Sequence, residues 1–214
     1  DATELTFGFD TAVHVASAAI DRLHTTAEAH DRVMVIEVMG RHTGHIAVRA
    51  GIAGGATMTL IPEVPFDIEE VSQALLRRHA GKRFASIVVV AEGAVPIEGT
   101  LDMPDYEMDQ FGHRRLGGIG EVIAQEIERR TGIESRVTTL GYIQRGGTPT
   151  AFDRVLATRY GIAAADAAAA GAWNVMVALK ADTITHVPLV DLVNRTKQVD
   201  LEFYESVAKP FFAS

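Results

Sequence analysis

Apolar residues recur with helical spacing from Phe9 to about His30 (Ala12, Val13, Ala16, Ala19, Ile20, Leu23), after the turn-prone pair Phe7-Gly8, and predict a first helix. The period then changes. Arg32 to Val38 holds the β-branched run Val33-Met34-Val35-Ile36, too short for a helix and fit for a buried strand. A helical stretch from His45 to about Ala53 ends at Gly54-Gly55, and Met58 to Ile61 reads as a short strand. Next come a helix over Ile68 to His79, with Asp67 as its N-cap, and the apolar strand Ser86 to Ala91. Residues 93–115 break the rhythm with Pro96, Pro104 and the acids Glu98, Asp102, Asp105, Glu107 and Asp109. They read as a long surface excursion, a solvated loop in preference to a lid.

Alternation resumes with a helix from about Ile119 to Arg130, a strand over Ser135 to Leu140, a helix from about Ala151 to Ala170 and a strand over Val175 to Leu179. Such βαβα order predicts an α/β fold: a doubly wound, mostly parallel sheet with helices on both faces. The alanine-dense run Ala163 to Ala170 favours helix and close packing and carries no chemistry. Trp173 and the pair Phe211-Phe212 read as core or docking residues.

Composition narrows the field. The 214 residues are 47% hydrophobic and 22% charged, as in ordinary globular proteins. A net charge of -8 argues against a nucleic-acid surface. The absence of cysteine excludes disulfides and thiolate chemistry and fits a cytoplasmic protein. No apolar run approaches the ~20 residues of a spanning helix, so no membrane partner is expected. The eight histidines show no ligand spacing, and His42 with His45 lack an acidic or third partner nearby in sequence, so no metal site is predicted on this chain.

Candidate chemistry sits where strands end. The loop Leu140-Gly141-Tyr142-Ile143-Gln144-Arg145-Gly146-Gly147-Thr148-Pro149-Thr150 sets an arginine among glycines between a strand and a helix. Backbone N–H groups, a helix N-terminus and a guanidinium can converge there on phosphoryl oxygens. Arg41 follows Val38-Met39-Gly40 at the end of another strand, and Glu92 ends the strand over Ile87 to Ala91. Taken singly, each is an ordinary surface charge. Together they lie at the carboxyl ends of three strands, where open parallel sheets build their sites. A carboxylate beside arginines suits a phosphorylated polyol, accepting hydroxyl hydrogen bonds while the guanidiniums hold the phosphate. Arg32 and Arg136 open their strands at the opposite ends, away from that crevice, and read as solvated arginines.

The ordered set Thr6-Phe7-Gly8-Phe9-Asp10-Thr11-Ala12, Glu37-Val38-Met39-Gly40-Arg41, Ile61-Pro62-Glu63, Ala91-Glu92-Gly93, Gly141 through Thr150 and Phe152 through Arg159 resembles 6-phosphofructokinase, especially its actinobacterial ATP- or pyrophosphate-using branch. The resemblance implies phosphoryl transfer from ATP or pyrophosphate, with Mg2+, to the 1-hydroxyl of fructose 6-phosphate. It makes Met39, Gly40 and Arg41 the substrate loop, with Arg41 also close to the transferring group, and Glu92 the carboxylate on the sugar hydroxyls. Tyr142, Ile143, Gln144 and Arg145 become the 6-phosphate loop, with Tyr142 where many bacterial members have histidine. Arg32 and Arg136 become residues that reach the substrate of a neighbouring subunit, which implies a homo-oligomer, dimer or tetramer. Of the charged positions that form the enterobacterial nucleotide-effector pocket, at Thr57, Gly81, Arg83 and Ala85, Arg83 alone keeps its charge here.

The resemblance also implies an absence. The family's donor loops, its Mg2+-site aspartate and its threonine-isoleucine-aspartate segment precede the part that matches Asp1, so the chain is expected to be a carboxyl-terminal portion, inactive alone. Residues 1–145 are expected to form the sugar-phosphate lobe, and residues 146–214 to pack partly on the missing lobe, with 146 to about 190 poorly ordered or buried on another chain. The rival reading is a non-catalytic sugar-phosphate-binding or oligomerisation module.

Overall fold

A computed structural model describes residues 3–83, 85–103, 117–193 and 195–212. Among these the helices are α1 (Phe9–His30), α2 (His45–Ala53), α3 (Ile68–Ala80), α4 (Ile119–Thr131) and α5 (Ala151–Ala169), followed by a C-terminal helical strap over 201–212 with a π turn at Tyr204–Ala208. The strands are β1 (Val33–Val38), β2 (Met58–Leu60), β3 (Ser86–Ala91), β4 (Ser135–Thr139), β5 (Val175–Lys180) and β6 (Thr183–Pro188). Most of the acidic excursion, including Asp105, Glu107 and Asp109, lies outside the described residues.

The chain divides into two compact units, each made of separated pieces. One comprises Val13–Gln144 with Gln198–Ser214, the other Asp1–Ala12 with Arg145–Lys197. The divisions between them fall at Ala12–Val13, Gln144–Arg145 and Lys197–Gln198.

The larger unit holds a parallel sheet in the order β2-β3-β1-β4. Val33 pairs with Ser86 of β3 and with Ser135 of β4, so β1 is hydrogen-bonded on both sides. Because side chains alternate across a strand, its apolar run feeds two cores. Met34, Ile36 and Val38, with Ile87, Val89 and Ala91, pack under α1 and α2 through Ala16, Ile20, Ala47 and Val48. Val33 and Val35, with Val88 and Val90, pack under α3 and α4 through Ile68, Leu75, Ile119, Ile123 and Ile127. Ile36, Val35 and Ile123 are fully buried, and each such side chain contributes roughly 1.5–3 kcal/mol of transfer free energy. The doubly wound sheet with helices on both faces is therefore present. Asp67 caps α3 as expected, its Oδ1 accepting from the Glu69 N–H at 2.8 Å.

The smaller unit departs from expectation. β5 does not extend the parallel sheet: it pairs antiparallel with β6, Val175 opposite Pro188 and Lys180 opposite Thr183. A two-residue turn with Ala181 at φ 51° closes the hairpin, which is why the alternation of helix and strand misleads at this point. Leu156, Tyr160 and Leu179, with Leu5, Val177 and Ile184, form its core. Asp153 lies 3% exposed; its Oδ2 accepts from the Thr11 N–H at 2.8 Å and from the Thr11 hydroxyl. Trp173 is not a core residue here, being 69% exposed.

Candidate functional site

β1 and β3 run side by side and end together at Val38 and Ala91, and the ladder continues one step further as the Glu92 N–H donates to Val38 O at 2.9 Å. The chain must then turn sharply out of β1. It does so at Arg41, whose backbone adopts φ 51°, a left-handed conformation costly for a side chain with a Cβ. Glu92 holds that conformation: its Oε1 accepts from the Gly40 N–H at 3.2 Å and from the Arg41 N–H at 2.9 Å. Arg41 itself is exposed.

Two glycines make the turn possible. A Cβ on Gly93 would sit 1.8 Å from the Arg41 carbonyl oxygen, and one on Gly40 would sit 2.3 Å from Thr43 O. Met39, Gly40, Arg41 and Glu92 therefore meet as one constellation at the carboxyl edge of the sheet. β4, on the other side of β1, delivers the third loop: the Leu140 N–H donates to Glu37 O at 3.0 Å, and residues Gly141–Gln144 wind into a 3-10 turn. Tyr142 and Ile143 stand outward, 81% and 72% exposed. Gln144 faces inward: it is 1% exposed, and its Nε2 donates to Gly141 O at 3.2 Å, supporting the turn itself. Arg145 begins the long stretch of the smaller unit and is exposed.

Arg32 and Arg136 lie at the opposite end of the sheet, as their positions in the strands require. Arg32 pairs with Glu134 at 2.8 Å, while Arg136 pairs with Glu134 and approaches Glu128 at 3.6 Å. The Arg32 guanidinium, followed by Arg136 and His30, holds the Glu134 carboxyl below the usual carboxylate range. A shallow groove of about 500 Å³ lies along α4 and β4, with Arg136 on its wall.

Sequence reasoning gave no role to two carboxylates, one buried and one half-buried, that hold backbone N–H groups at the starts of helices. Glu37, 2% exposed, accepts from the Gly118 N–H at 3.0 Å and from the Gly120 N–H at 2.8 Å, capping α4 from the middle of the sheet. Glu63 accepts from the Gly44 N–H at 3.0 Å and from the Val199 N–H at 2.9 Å. A carboxylate within an apolar strand was the available signal for Glu37, because such a group must find donors.

No helix among the described residues is long and apolar enough to cross a membrane. The profile of the family described as Phosphofructokinase matches residues 1–168. The chain is 57% identical over 200 residues to an ATP-dependent 6-phosphofructokinase of Corynebacterium efficiens, covering 94% of this chain and 58% of that protein. It is 54% identical over 206 residues to a pyrophosphate--fructose 6-phosphate 1-phosphotransferase of Streptomyces coelicolor, covering 96% and 60%. It thus spans about three fifths of the length of these relatives. Among solved structures, a phosphofructokinase from Saccharomyces cerevisiae superposes with a TM-score of 0.73 at 30% identity, over 99% of this chain and 26% of that one. Family profile, sequence identity and superposition agree, and the chain belongs to the phosphofructokinase family.

Proposed function

We propose that this chain supplies the sugar-phosphate half of a 6-phosphofructokinase, which transfers a phosphoryl group from ATP or pyrophosphate to the 1-hydroxyl of fructose 6-phosphate in glycolysis. The observation that carries this reading is the Glu92 carboxylate bonded to the Gly40 and Arg41 N–H groups at the mouth of the parallel sheet. It fixes the backbone of an exposed arginine beside a carboxylate, a group that accepts hydroxyl hydrogen bonds from a sugar. Relatives named for either donor are 57% and 54% identical, so one substrate half serves both.

In this reading Arg41 binds the substrate and neutralises charge on the moving phosphoryl group, which is where positioning and electrostatics dominate the catalysis. Met39 and Gly40 shape the floor, Glu92 orients the hydroxyls, and Tyr142 and Ile143 face the ligand from the 3-10 turn, with Gln144 supporting that turn from beneath. Arg145 clamps the 6-phosphate. Arg32 and Arg136 serve the site of a neighbouring copy in a homo-oligomer, sharing Glu134 and Glu128 until a phosphate dianion outcompetes them. Magnesium, if bound with the donor, would neutralise its phosphates; among the described residues no three His, Asp or Glu side chains gather as a metal site.

Calorimetric titration of the 214-residue chain with fructose 6-phosphate tests the proposal. Arg41→Ala and Arg145→Ala are each expected to weaken binding about ten-fold or more through lost charge-assisted hydrogen bonds. Binding that is absent in the parent chain, or unchanged in both variants, would refute it.

A further inference from the structure

The Arg41 turn is held at both ends by carboxylates. Glu92 takes the N–H groups of Gly40 and Arg41 at its start. At its finish, both oxygens of Glu63 accept from the Gly44 N–H, at 3.1 and 3.0 Å, where α2 begins without a side-chain cap of its own. Between the two, the Thr43 N–H and hydroxyl donate to Gly40 O at 3.0 and 3.2 Å. Gly44 has no room for a side chain, because a Cβ would lie 2.3 Å from Ile61 Cγ2. The turn thus has little freedom except through movement of its two carboxylates.

Glu63 is itself shared. Its Oε1 also accepts from the Val199 N–H at 2.9 Å, at the root of the C-terminal strap. That strap is bound to the same elements that frame the turn: the Tyr204 hydroxyl donates to Thr59 O at 3.1 Å, the Arg49 guanidinium of α2 lies 5.4 Å from the Phe203 ring centre, and Ala208 is fully buried. One carboxylate therefore joins two backbone segments remote in sequence, and the position of one segment is felt by the other.

We infer that Glu63 is a positioning residue for Arg41, and that through it the C-terminal strap sets the alignment of the Arg41 turn. The inference rests on the proposed role of Arg41 in binding fructose 6-phosphate. Coupling of this kind is reciprocal: a ligand that fixes the Arg41 turn must also tighten the strap at Val199.

Amide hydrogen exchange on the full chain, read by mass spectrometry over residues 38–46 and 196–204 with and without fructose 6-phosphate, is the test. Glu63→Gln keeps one acceptor oxygen but replaces the other with a donor, so exchange over 38–46 should rise about ten-fold and ligand affinity fall by a similar factor. Tyr204→Phe loosens the strap without touching Glu63; it should raise exchange over 38–46 more weakly than Glu63→Gln does, and should add nothing over 38–46 in the Glu63→Gln background, where the link is already cut. In the parent chain the ligand should slow both segments, and in Glu63→Gln it should slow the first alone. Glu63→Asp keeps the charge but falls short of Gly44, and it provides the same comparison should Glu63→Gln fail to fold.

Parent-like protection of 38–46 in both Glu63 variants or in Tyr204→Phe, a Tyr204→Phe effect on 38–46 undiminished in the Glu63→Gln background, or a strap indifferent to bound ligand would each overturn the inference. A parent chain that does not bind fructose 6-phosphate, yet shows the expected acceleration in Glu63→Gln, overturns the proposed function and leaves the mechanical role of Glu63 supported.

Discussion

Arg41 occupies a backbone conformation that glycine adopts far more easily, so its proposed role and the stability of the fold pull against each other at this residue. Arg41→Gly removes the left-handed penalty while adding chain entropy to the unfolded state, and the two offset one another. Its unfolding free energy should stay within ~1 kcal/mol of the parent in a urea titration, while fructose 6-phosphate binding is lost. Gly93 gives the opposite case. With the Arg41 carbonyl oxygen only 1.8 Å from a would-be Cβ, Gly93→Ala must displace the turn and should cost ~2 kcal/mol or more, read as a lowered urea midpoint. The places of the candidate residues were legible by type and order: Arg41, Glu92 and the loop after β4 stand at strand ends. Their supports were not, because Glu63 and Gly93 act through backbone contacts between segments distant in sequence.

At the scale of elements, α3 and α4 are tied by a charged network on their solvent side. Arg130 bonds Glu126 at 2.6 Å and pairs with Glu69 at 2.5 Å, and Arg129 also pairs with Glu126. These arginines, Arg129 first, hold the Glu126 carboxyl down to about 2 from an ordinary 4.5. A depressed carboxylate stabilises the fold fully above its unfolded-state pKa and loses that contribution as pH falls through the folded-state value. Stability should therefore decline between about pH 4.5 and 2. Glu126→Gln should flatten that part of a melting-temperature profile and leave the neutral region lower. Asp67→Ala removes the α3 cap and should cost ~1 kcal/mol by the same melts. Helices α1 to α5 and strands β1 to β5 were readable from periodicity, as was the Asp67 cap. β6 and the strap were not: Thr183–Pro188 mixes polar and apolar residues and is partly exposed, and its partner is chosen by a turn whose residues, Ala181 and Asp182, carry no glycine signal.

For the molecule as a whole, the smaller unit carries its apolar surface outward. On α5, Phe152, Val155 and Ile162 are exposed, and Trp173, Val190 and Val193 are exposed beyond it. Side chains of that size in water favour association. Val155→Lys combined with Ile162→Glu should therefore reduce light scattering at high concentration with little change in melting temperature, and Trp173 fluorescence should be readily quenched by acrylamide. The doubly wound class could be foreseen because buried parallel strands need continuous apolar runs. The hairpin's separate pairing depends on contacts that no single run records.

The sheet order has a kinetic corollary. β1, near the front of the chain, waits for β3 on one flank and for β4, much later, on the other. Every ladder in this sheet closes a long loop before any pairing repays it, the regime in which folding is slow. During synthesis one margin of β1 would stay unpaired until Ser135–Thr139 emerges, so the nascent polypeptide passes through a window in which a chaperone, or another copy of the same half-made sheet, can claim that margin first.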